Sequence, residues 1–243
     1  MSLSAPDSPS SATRPSNPSD PLSRLRSESP KNQLPLIREL ASQGDSGLEV
    51  LMNFLLERKP ESTPVEGRVY QSLMEANTPQ TQDFLQTHFP TGVMALPTTD
   101  RVDYAPLQQL LGRQEFEAAD KITSKLLCEL AGAAAIARKW LYFTDVERFT
   151  EAELHTIDRL WRVYSEGKFG FSVQRDLWLG VGKNWDDLWP LIGWKNGNNW
   201  TRYPQEFIWN LSAPKGHLPL SNQLRGVRVM AALLNHPAWN QRG

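Results

Sequence analysis

Apolar residues between Leu34 and Phe89 recur at intervals of three and four positions, in four short segments separated by Gly, Pro or Asn-Thr-Pro. These segments are LPLIRELAS (34–42), GLEVLMNFLLERK (47–59), GRVYQSLMEA (67–76) and TQDFLQTHF (81–89). This spacing places the apolar side chains on one face, so the sequence predicts four short helices. A bundle of about 60 residues is marginal for an independent core. We therefore expect it to pack against the rest of the chain.

Longer amphipathic segments follow in the second part of the chain. From Phe116 to Leu130 the apolar residues share one helical face, and Gly132 is placed to end that helix. The stretch Thr150-Glu-Ala-Glu153 has the spacing of a capping box, which predicts a helix running to Tyr164. Because few runs alternate with period two, the sequence predicts an all-α protein in two parts.

The segment from Gly167 to Pro219 is rich in Gly, Asn, Pro and Trp, which predicts short helices joined by long ordered loops. Its tryptophans are too unevenly spaced for a repeat of fixed period. Trp161, Trp178 and Trp189 are expected in the core, because aromatic side chains bury large areas where helices pack. The sequence leaves two roles open for the loop aromatics between Trp185 and Tyr203: they either pack in the core or line a cleft.

The N-terminus has a different composition, with prolines separated mainly by serines. Such a segment has too little apolar surface to offset the entropy of ordering, so residues 1–33 are predicted to form a disordered tail. Because the tail is serine-rich and poor in acids, an organelle transit peptide is an alternative. The predicted organisation is this tail, a small helical bundle at 34–98 and a larger helical domain at 101–243.

The formal net charge of −1 is too small for a bulk polyelectrolyte partner. Charge is nevertheless uneven, because the chain from Leu188 onward contains six basic residues and one acidic residue, Glu206. Such a local excess attracts anions at short range. A single cysteine, Cys128, excludes an internal disulfide framework and fits a reducing compartment.

Motifs for catalysis or metal binding are weak. Gly180-Val-Gly-Lys183 lacks the earlier glycine and the following Ser or Thr of a phosphate-binding loop, and is expected to be a helix end and a turn. The four histidines lack the spacing of a metal site, and Cys128 lies on an apolar helical face, where a structural role is expected. We therefore expect a protein without a catalytic site.

Two arginines near the C-terminus, Arg225 and Arg228, have no acidic residue close to them in sequence. Ser221 is placed to cap a helix running to Leu234, with Arg228 at the border of its apolar face and Arg225 farther round. That apolar face contains Leu224, Val227, Ala231 and Leu234. A flat apolar ligand would fit such a face and present acidic groups to the guanidinium groups, which bind carboxylates bidentately. The alternative is two solvated arginines on an amphipathic helix.

Several long stretches resemble the Genomes Uncoupled porphyrin-binding family, the activators of magnesium chelatase. They are LLCELAG (126–132), WLYFTDV (140–146), LHTIDRLW (154–161), KFGFSVQR (168–175), WNLSAPKGHLPL (209–220) and LRGVR (224–228). The resemblance covers about residues 103–239. The helical segment at 34–96 is similar to the extra N-terminal domain of the cyanobacterial members.

The resemblance implies an all-helical domain shaped like a cupped hand, which binds protoporphyrin IX and Mg-protoporphyrin IX without altering them and has no permanently bound cofactor. The implied partner is the large porphyrin-binding subunit of magnesium chelatase, in the first committed step of chlorophyll synthesis. The implied state is a monomer in the cytoplasm, with peripheral association with photosynthetic membranes left open.

The resemblance also implies roles for individual residues. Phe143 and Val146 would line the apolar cup, and Arg225 and Arg228 would pair with the propionates. Tyr203 stands at a loop position where some relatives have Trp, so it keeps an aromatic face and adds a hydroxyl. A further residue of this implied set is Asn222, which would approach the central metal from one side.

Two other function classes remain open from the residues alone. Interleaved bases and aromatics are also typical of single-stranded nucleic-acid binding, although no RNA-binding signature is present. The other class is a helical scaffold that binds a protein partner through its aromatic loops.

Overall fold

The computed structural model describes residues 20–59, 62–98, 101–221 and 227–240. Within these ranges the fold consists of thirteen α-helices, a two-stranded hairpin and a short 3-10 helix, Pro237–Asn240. The predicted all-α class is therefore confirmed. None of the helices in these ranges is long and apolar enough to cross a membrane.

Five helices form the N-terminal part. They are α1 (Pro21–Ser27), α2 (Pro30–Ala41), α3 (Asp45–Glu57), α4 (Pro64–Ala76) and α5 (Pro79–His88). The last four coincide with the four amphipathic segments of the sequence. Proline occupies the first position of four of these helices, where the missing N–H has no helical partner to lose. At the start of α4, the Glu66 carboxylate also accepts a hydrogen bond from the Thr63 amide at 2.9 Å.

The predicted disorder of residues 1–33 is wrong from Pro21 onward. The Asp20 carboxylate caps α1 by accepting a hydrogen bond from the Ser23 amide at 3.1 Å. Leu25 is fully buried, and the Gln33 side chain donates to the Leu25 carbonyl at 2.8 Å. The prolines that suggested disorder start helices here, and one buried leucine anchors the first of them. Residues 1–19 lie outside the described ranges.

Eight helices form the second part. They are α6 (Ala105–Gly112), α7 (Phe116–Ala131), α8 (Ala133–Arg138), α9 (Phe143–Val146), α10 (Glu151–Val163), α11 (Phe171–Gly180), α12 (Trp185–Leu191) and α13 (Arg228–Asn235). Gly132 ends α7 with a φ of +100°, as its position predicted. The predicted capping box is also present, with the Thr150 amide donating to Glu153 at 2.8 Å and the Glu153 amide donating to Thr150 at 3.3 Å.

Two features of the later segment differ from the sequence-based expectation. A small antiparallel hairpin follows α12, formed by β1 (Lys195–Asn196) and β2 (Asn199–Trp200). Gly197 in its turn has a φ of +58°, which tight hairpins require. The described part of the last helix starts at Arg228, and Ser221 is not helical. The predicted helical residues 222–226 between them lie outside the described ranges.

The two parts meet where α4 crosses α10. A Cβ atom on Gly67 would lie 2.0 Å from the Val163 carbonyl oxygen, so only glycine allows this close approach. The Gln71 side chain donates to the carbonyls of Tyr164 at 2.8 Å and of Leu111 at 3.1 Å. One cluster of buried apolar side chains runs from Leu25 to Trp239. The expectation that the N-terminal bundle packs against the rest of the chain is confirmed.

Trp161 lies at the centre of this core. Its side chain is fully buried, and its indole N–H donates to the Thr123 hydroxyl at 2.9 Å. Its ring stacks on Phe116 with 6.1 Å between the centroids. The predicted core position of Trp161 is therefore confirmed, together with a hydrogen-bond partner for its polar end.

Candidate functional site

Helix α9 packs against α13 and presents an aromatic ring beside a cation. The Phe143 side chain is 39% exposed, although most large apolar side chains of this part are buried. The guanidinium carbon of Arg228 lies over the Phe143 ring, 5.8 Å from its centroid. This distance falls within the range of a cation–π contact. Two of the residues implied by the resemblance are thus adjacent at the surface.

The exposure of Phe143 follows from the way its short helix is held. The buried Asp145 carboxylate accepts hydrogen bonds from the Tyr142 amide at 2.7 Å and from the Arg138 guanidinium at 2.6 Å. Arg138 also lies over the rings of Tyr142, at 4.4 Å, and of Trp140, at 5.2 Å. These contacts tie the end of α8 to the start of α9. The sequence analysis missed Arg138 and Asp145, although the spacing from Tyr142 to Asp145 is that of a helix start.

Val146, the second residue of the implied cup, points inward. It is 1% exposed and belongs to the main core. It also lines a hollow of about 520 Å³ whose other walls include Phe149, Ala232 and His236. The Val146 side chain therefore anchors α9 to the main core in this structure and adds no exposed surface next to the Phe143 ring.

Asn222 and Arg225 lie outside the described residues. The chain enters their segment from Ser221 and leaves it at Val227, which is 36% exposed and directly precedes Arg228. The predicted pairing of Arg225 and Arg228 on one helix is therefore untested.

Tyr203 belongs to a separate group of aromatic side chains. It is 49% exposed, and its ring centroid lies 6.0 Å from that of Trp209 and 6.4 Å from that of Phe207. The Trp209 indole donates to the Pro204 carbonyl at 2.9 Å, which holds the loop against this group. Partial burial raises the pKa of Tyr203, and the nearby negative charge of Asp120 raises it further. Tyr203 thus offers an exposed aromatic face on a braced loop.

Four tryptophans form a stacked column beneath these loops. Neighbouring ring centroids are 4.7 Å apart for Trp178 and Trp185, 5.1 Å for Trp185 and Trp189, and 5.7 Å for Trp189 and Trp194. Trp178, Trp189 and Trp194 are buried, which confirms the predicted core positions of Trp178 and Trp189. Of the loop aromatics left open by sequence, Trp194 packs inside, whereas Trp200 is 42% exposed.

This column supports the helix that carries Arg228. Its buried cluster includes Met230 and Leu234 from α13. The Arg175 side chain of α11 donates to the Leu234 carbonyl at 3.1 Å. The tryptophan-rich segment therefore fixes one side of α13, while α9 packs on another. In this way the unusual composition of residues 178–209 positions a candidate binding residue.

His217 has a structural role in these loops. The Ile208 amide donates to its Nε2 atom at 3.1 Å, so the Nδ1–H donates to the Ile192 carbonyl at 2.6 Å. Burial lowers the pKa of His217, which keeps the ring neutral. Both ring nitrogens are thereby occupied by the backbone.

The other residues considered for chemistry have ordinary surroundings. Cys128 is buried, and burial raises the pKa of its thiol, which disfavours the reactive thiolate. Gly180 ends α11, and Gly182 and Lys183 form a turn with positive φ, as expected for this stretch. Across the described ranges, no group of three or more His, Cys, Asp or Glu side chains is arranged to hold a metal ion.

Two family models match the chain in tandem. A model described as GUN4-like matches residues 97–237, and a model described as an ARM-like repeat domain, GUN4 N-terminal, matches residues 11–90. The chain belongs to the GUN4-like family. The resemblance noted in the sequence is confirmed, including the N-terminal domain expected of the cyanobacterial type.

Individual relatives support this assignment. The chain is 53% identical to a Ycf53-like protein of Synechocystis sp. over 224 residues, which cover 90% of this chain and 95% of the relative. It is 37% identical to the chloroplastic tetrapyrrole-binding protein of Arabidopsis thaliana over 142 residues, which cover 55% of this chain and 54% of the relative.

A solved structure agrees with the fold. GUN4 from Chlamydomonas reinhardtii superposes with a TM-score of 0.57 at 38% sequence identity, covering 61% of this chain and 95% of that chain. The similarity therefore extends over almost the whole of that solved chain and about three fifths of this one.

Proposed function

We propose that this protein binds protoporphyrin IX and Mg-protoporphyrin IX without altering them, and that it activates magnesium chelatase through the chelatase's large porphyrin-binding subunit. The observation that most supports this proposal is the exposed Phe143 ring beneath the Arg228 guanidinium. A porphyrin dicarboxylate is a large π surface with two negative groups on one edge. An exposed aromatic ring beside a cation matches that distribution of apolar and charged surface.

Family membership supports the same chemistry. The Arabidopsis relative is a tetrapyrrole-binding protein by name, and its similarity to this chain is accompanied by the GUN4-like match over residues 97–237. We extend that property to this chain because Phe143 and Arg228 are both present within the matched range. The favoured function is therefore that of a binding protein that regulates an enzyme.

The proposed site combines described and undescribed residues. Phe143 contacts the macrocycle face, and Tyr203 contributes a second exposed aromatic surface from its braced loop. Arg225 and Arg228 pair with the propionates, because guanidinium groups stay charged and match carboxylate geometry. The buried Val146 side chain anchors α9 to the core. The remaining member, Asn222, approaches the central metal of the magnesium derivative.

A porphyrin titration tests the binding step. Adding protoporphyrin IX to the purified protein is expected to shift the ligand's Soret band and quench tryptophan emission at micromolar ligand. Phe143→Ala should weaken binding by about fivefold, since truncating a partly exposed aromatic contact costs on the order of 1 kcal/mol. Leu56→Ala is a matched control, because Leu56 is 42% exposed on α3 in the N-terminal part. An unshifted Soret band in the unaltered protein would reject the proposal.

Activation requires a second assay. In a reconstituted magnesium chelatase reaction, adding the protein should raise the rate of magnesium insertion, and Phe143→Ala should raise it less at limiting porphyrin. If the protein binds porphyrin but the rate of magnesium insertion does not change, the protein is a tetrapyrrole carrier and the activator role is excluded.

A further inference from the structure

The helix that carries Phe143 is too short to be stable on its own. Helix α9 (Phe143–Val146) has four residues, and forming a first helical turn fixes several residues in return for very few hydrogen bonds. Its position therefore depends on tertiary contacts. One of them is the Val146 side chain, which is buried in the main core. The direction of the exposed Phe143 ring depends on what fixes the start of the turn.

The Asp145 carboxylate fixes that start. Its Oδ2 atom accepts hydrogen bonds from the Tyr142 amide at 2.7 Å and from an Arg138 guanidinium nitrogen at 2.6 Å. The Asp145 side chain is 11% exposed and that of Arg138 is 25% exposed, so solvent screens this ion pair less than a fully exposed one. Tyr142 directly precedes Phe143 and Asp145 follows it by two positions, so these bonds hold the backbone on both sides of the ring.

Aromatic rings hold Arg138 at this position. Its guanidinium carbon lies 4.4 Å from the centroid of the Tyr142 ring and 5.2 Å from that of the Trp140 ring. The two rings are in edge-to-face contact, with 4.3 Å between their centroids. The Nε atom of Arg138 is shielded from solvent and has no hydrogen-bond partner among the described residues. A buried N–H without an acceptor is costly, so the carboxylate and the rings hold the guanidinium in place despite that cost.

We infer that Asp145 is a positioning residue for the tetrapyrrole site, because its carboxylate, paired with Arg138, keeps the Phe143 ring at the surface that meets the macrocycle. This inference rests on the proposed function. Asp145 is itself buried, so it acts through the backbone of α9 and needs no contact with the ligand. Without its carboxylate the turn loses the hydrogen bonds that orient it. The Phe143 ring would then have to be ordered when the ligand binds, at a cost in affinity.

Glu66 has the same arrangement at the start of α4, in the N-terminal part of the fold. Its carboxylate accepts a hydrogen bond from the Thr63 amide at 2.9 Å and another from the Nε atom of Arg58 at 2.9 Å. Its side chain is 1% exposed. Glu66→Ala is therefore a matched control, since it removes an equivalent pair of contacts from a part of the fold to which no ligand contact is assigned.

The experiment is a double-mutant cycle in which the full chain is titrated with protoporphyrin IX and the Soret band is followed. Asp145→Ala should weaken binding by about fivefold, the effect expected for loss of the Phe143 contact itself. When Phe143→Ala is already present, adding Asp145→Ala should change the affinity very little, because the ring that Asp145 positions is gone. Independent effects would instead multiply to about 25-fold.

Two further variants sharpen the test. Asp145→Asn keeps an acceptor for the Tyr142 amide and should recover most of the affinity. Arg138→Ala removes the ion pair but leaves that hydrogen bond, and should weaken binding by about twofold to threefold. The same cycle with Phe143→Ala applies to Arg138→Ala, which decides the question if Asp145→Ala does not fold.

Stability measurements distinguish positioning from a general loss of structure. Far-ultraviolet circular dichroism establishes that each variant is folded, and urea unfolding measures its stability. Asp145→Ala and Glu66→Ala should both lower the free energy of unfolding, because each removes a buried carboxylate that accepts two hydrogen bonds. Only Asp145→Ala should weaken porphyrin binding.

The outcomes separate this inference from the proposed function. If the unaltered protein shows no Soret shift, the proposed function fails. If it binds, and the folded variants of Asp145 and Arg138 bind equally well, the positioning role is rejected and tetrapyrrole binding stands. The role is also rejected if the effects of Asp145→Ala and Phe143→Ala multiply, if Phe143→Ala leaves the affinity unchanged, or if Glu66→Ala weakens binding as much as Asp145→Ala does.

Discussion

Replacing Arg225 and Arg228 together by alanine is expected to weaken protoporphyrin IX binding by about 10²-fold. Hydrogen bonds to charged groups contribute roughly 1.5–3 kcal/mol each, and solvent exposure of Arg228 places its contribution at the low end. The Arg228 guanidinium lies over the Phe143 ring, which is already partly exposed, so its removal leaves more of that ring in contact with solvent. The measurement is a Soret titration of the folded variant against the unaltered protein.

Two further variants make that result specific. Arg225→Lys with Arg228→Lys retains both charges but loses the planar fork, so it should bind with intermediate affinity. Arg113→Ala removes one positive charge at the end of α6, where the side chain is 56% exposed, and should have no effect. Equal affinity for the double alanine variant and the unaltered protein would remove both arginines from the site.

Trp161→Ala is expected to lower the free energy of unfolding by about 3–5 kcal/mol, the usual cost of truncating a buried aromatic side chain. Trp161 is fully buried against Phe116, and the variant also leaves the Thr123 hydroxyl without its indole donor. Because α10 packs on both α4 and α6, the cavity would weaken both parts of the fold. Urea unfolding followed by circular dichroism measures the change.

Trp200→Ala provides the comparison for this prediction. Trp200 is 42% exposed in the hairpin, so its truncation should cost less than about 1 kcal/mol. Trp161→Phe retains most of the buried area and should fall between these two variants. If Trp161→Ala lowers the free energy of unfolding by less than about 1 kcal/mol, the core re-forms around the cavity. That result would contradict the central packing role described for Trp161.

The helices of this protein could be predicted because local patterns determine them. The periodic segments at 34–42 and 47–59 and the Thr150–Glu153 capping box depend on residues close in sequence. The tail was misjudged because α1 is stabilised by Leu25, whose burial requires α3 to be in place. Proline content alone did not distinguish a disordered segment from prolines at helix starts.

The candidate site was predictable only in part, and mainly through family resemblance. Phe143 and Arg228 lie together although they are far apart in sequence, and no local pattern reports that contact. Val146 was expected to line the cup, but its side chain is buried in the core.

A crystal structure of the full chain with Mg-protoporphyrin IX tests the central claim most directly. We expect the macrocycle to lie against the Phe143 ring at the α9–α13 surface, with a propionate bound to the Arg228 guanidinium. A macrocycle bound elsewhere, with Phe143 and Arg228 still facing solvent, would contradict the account.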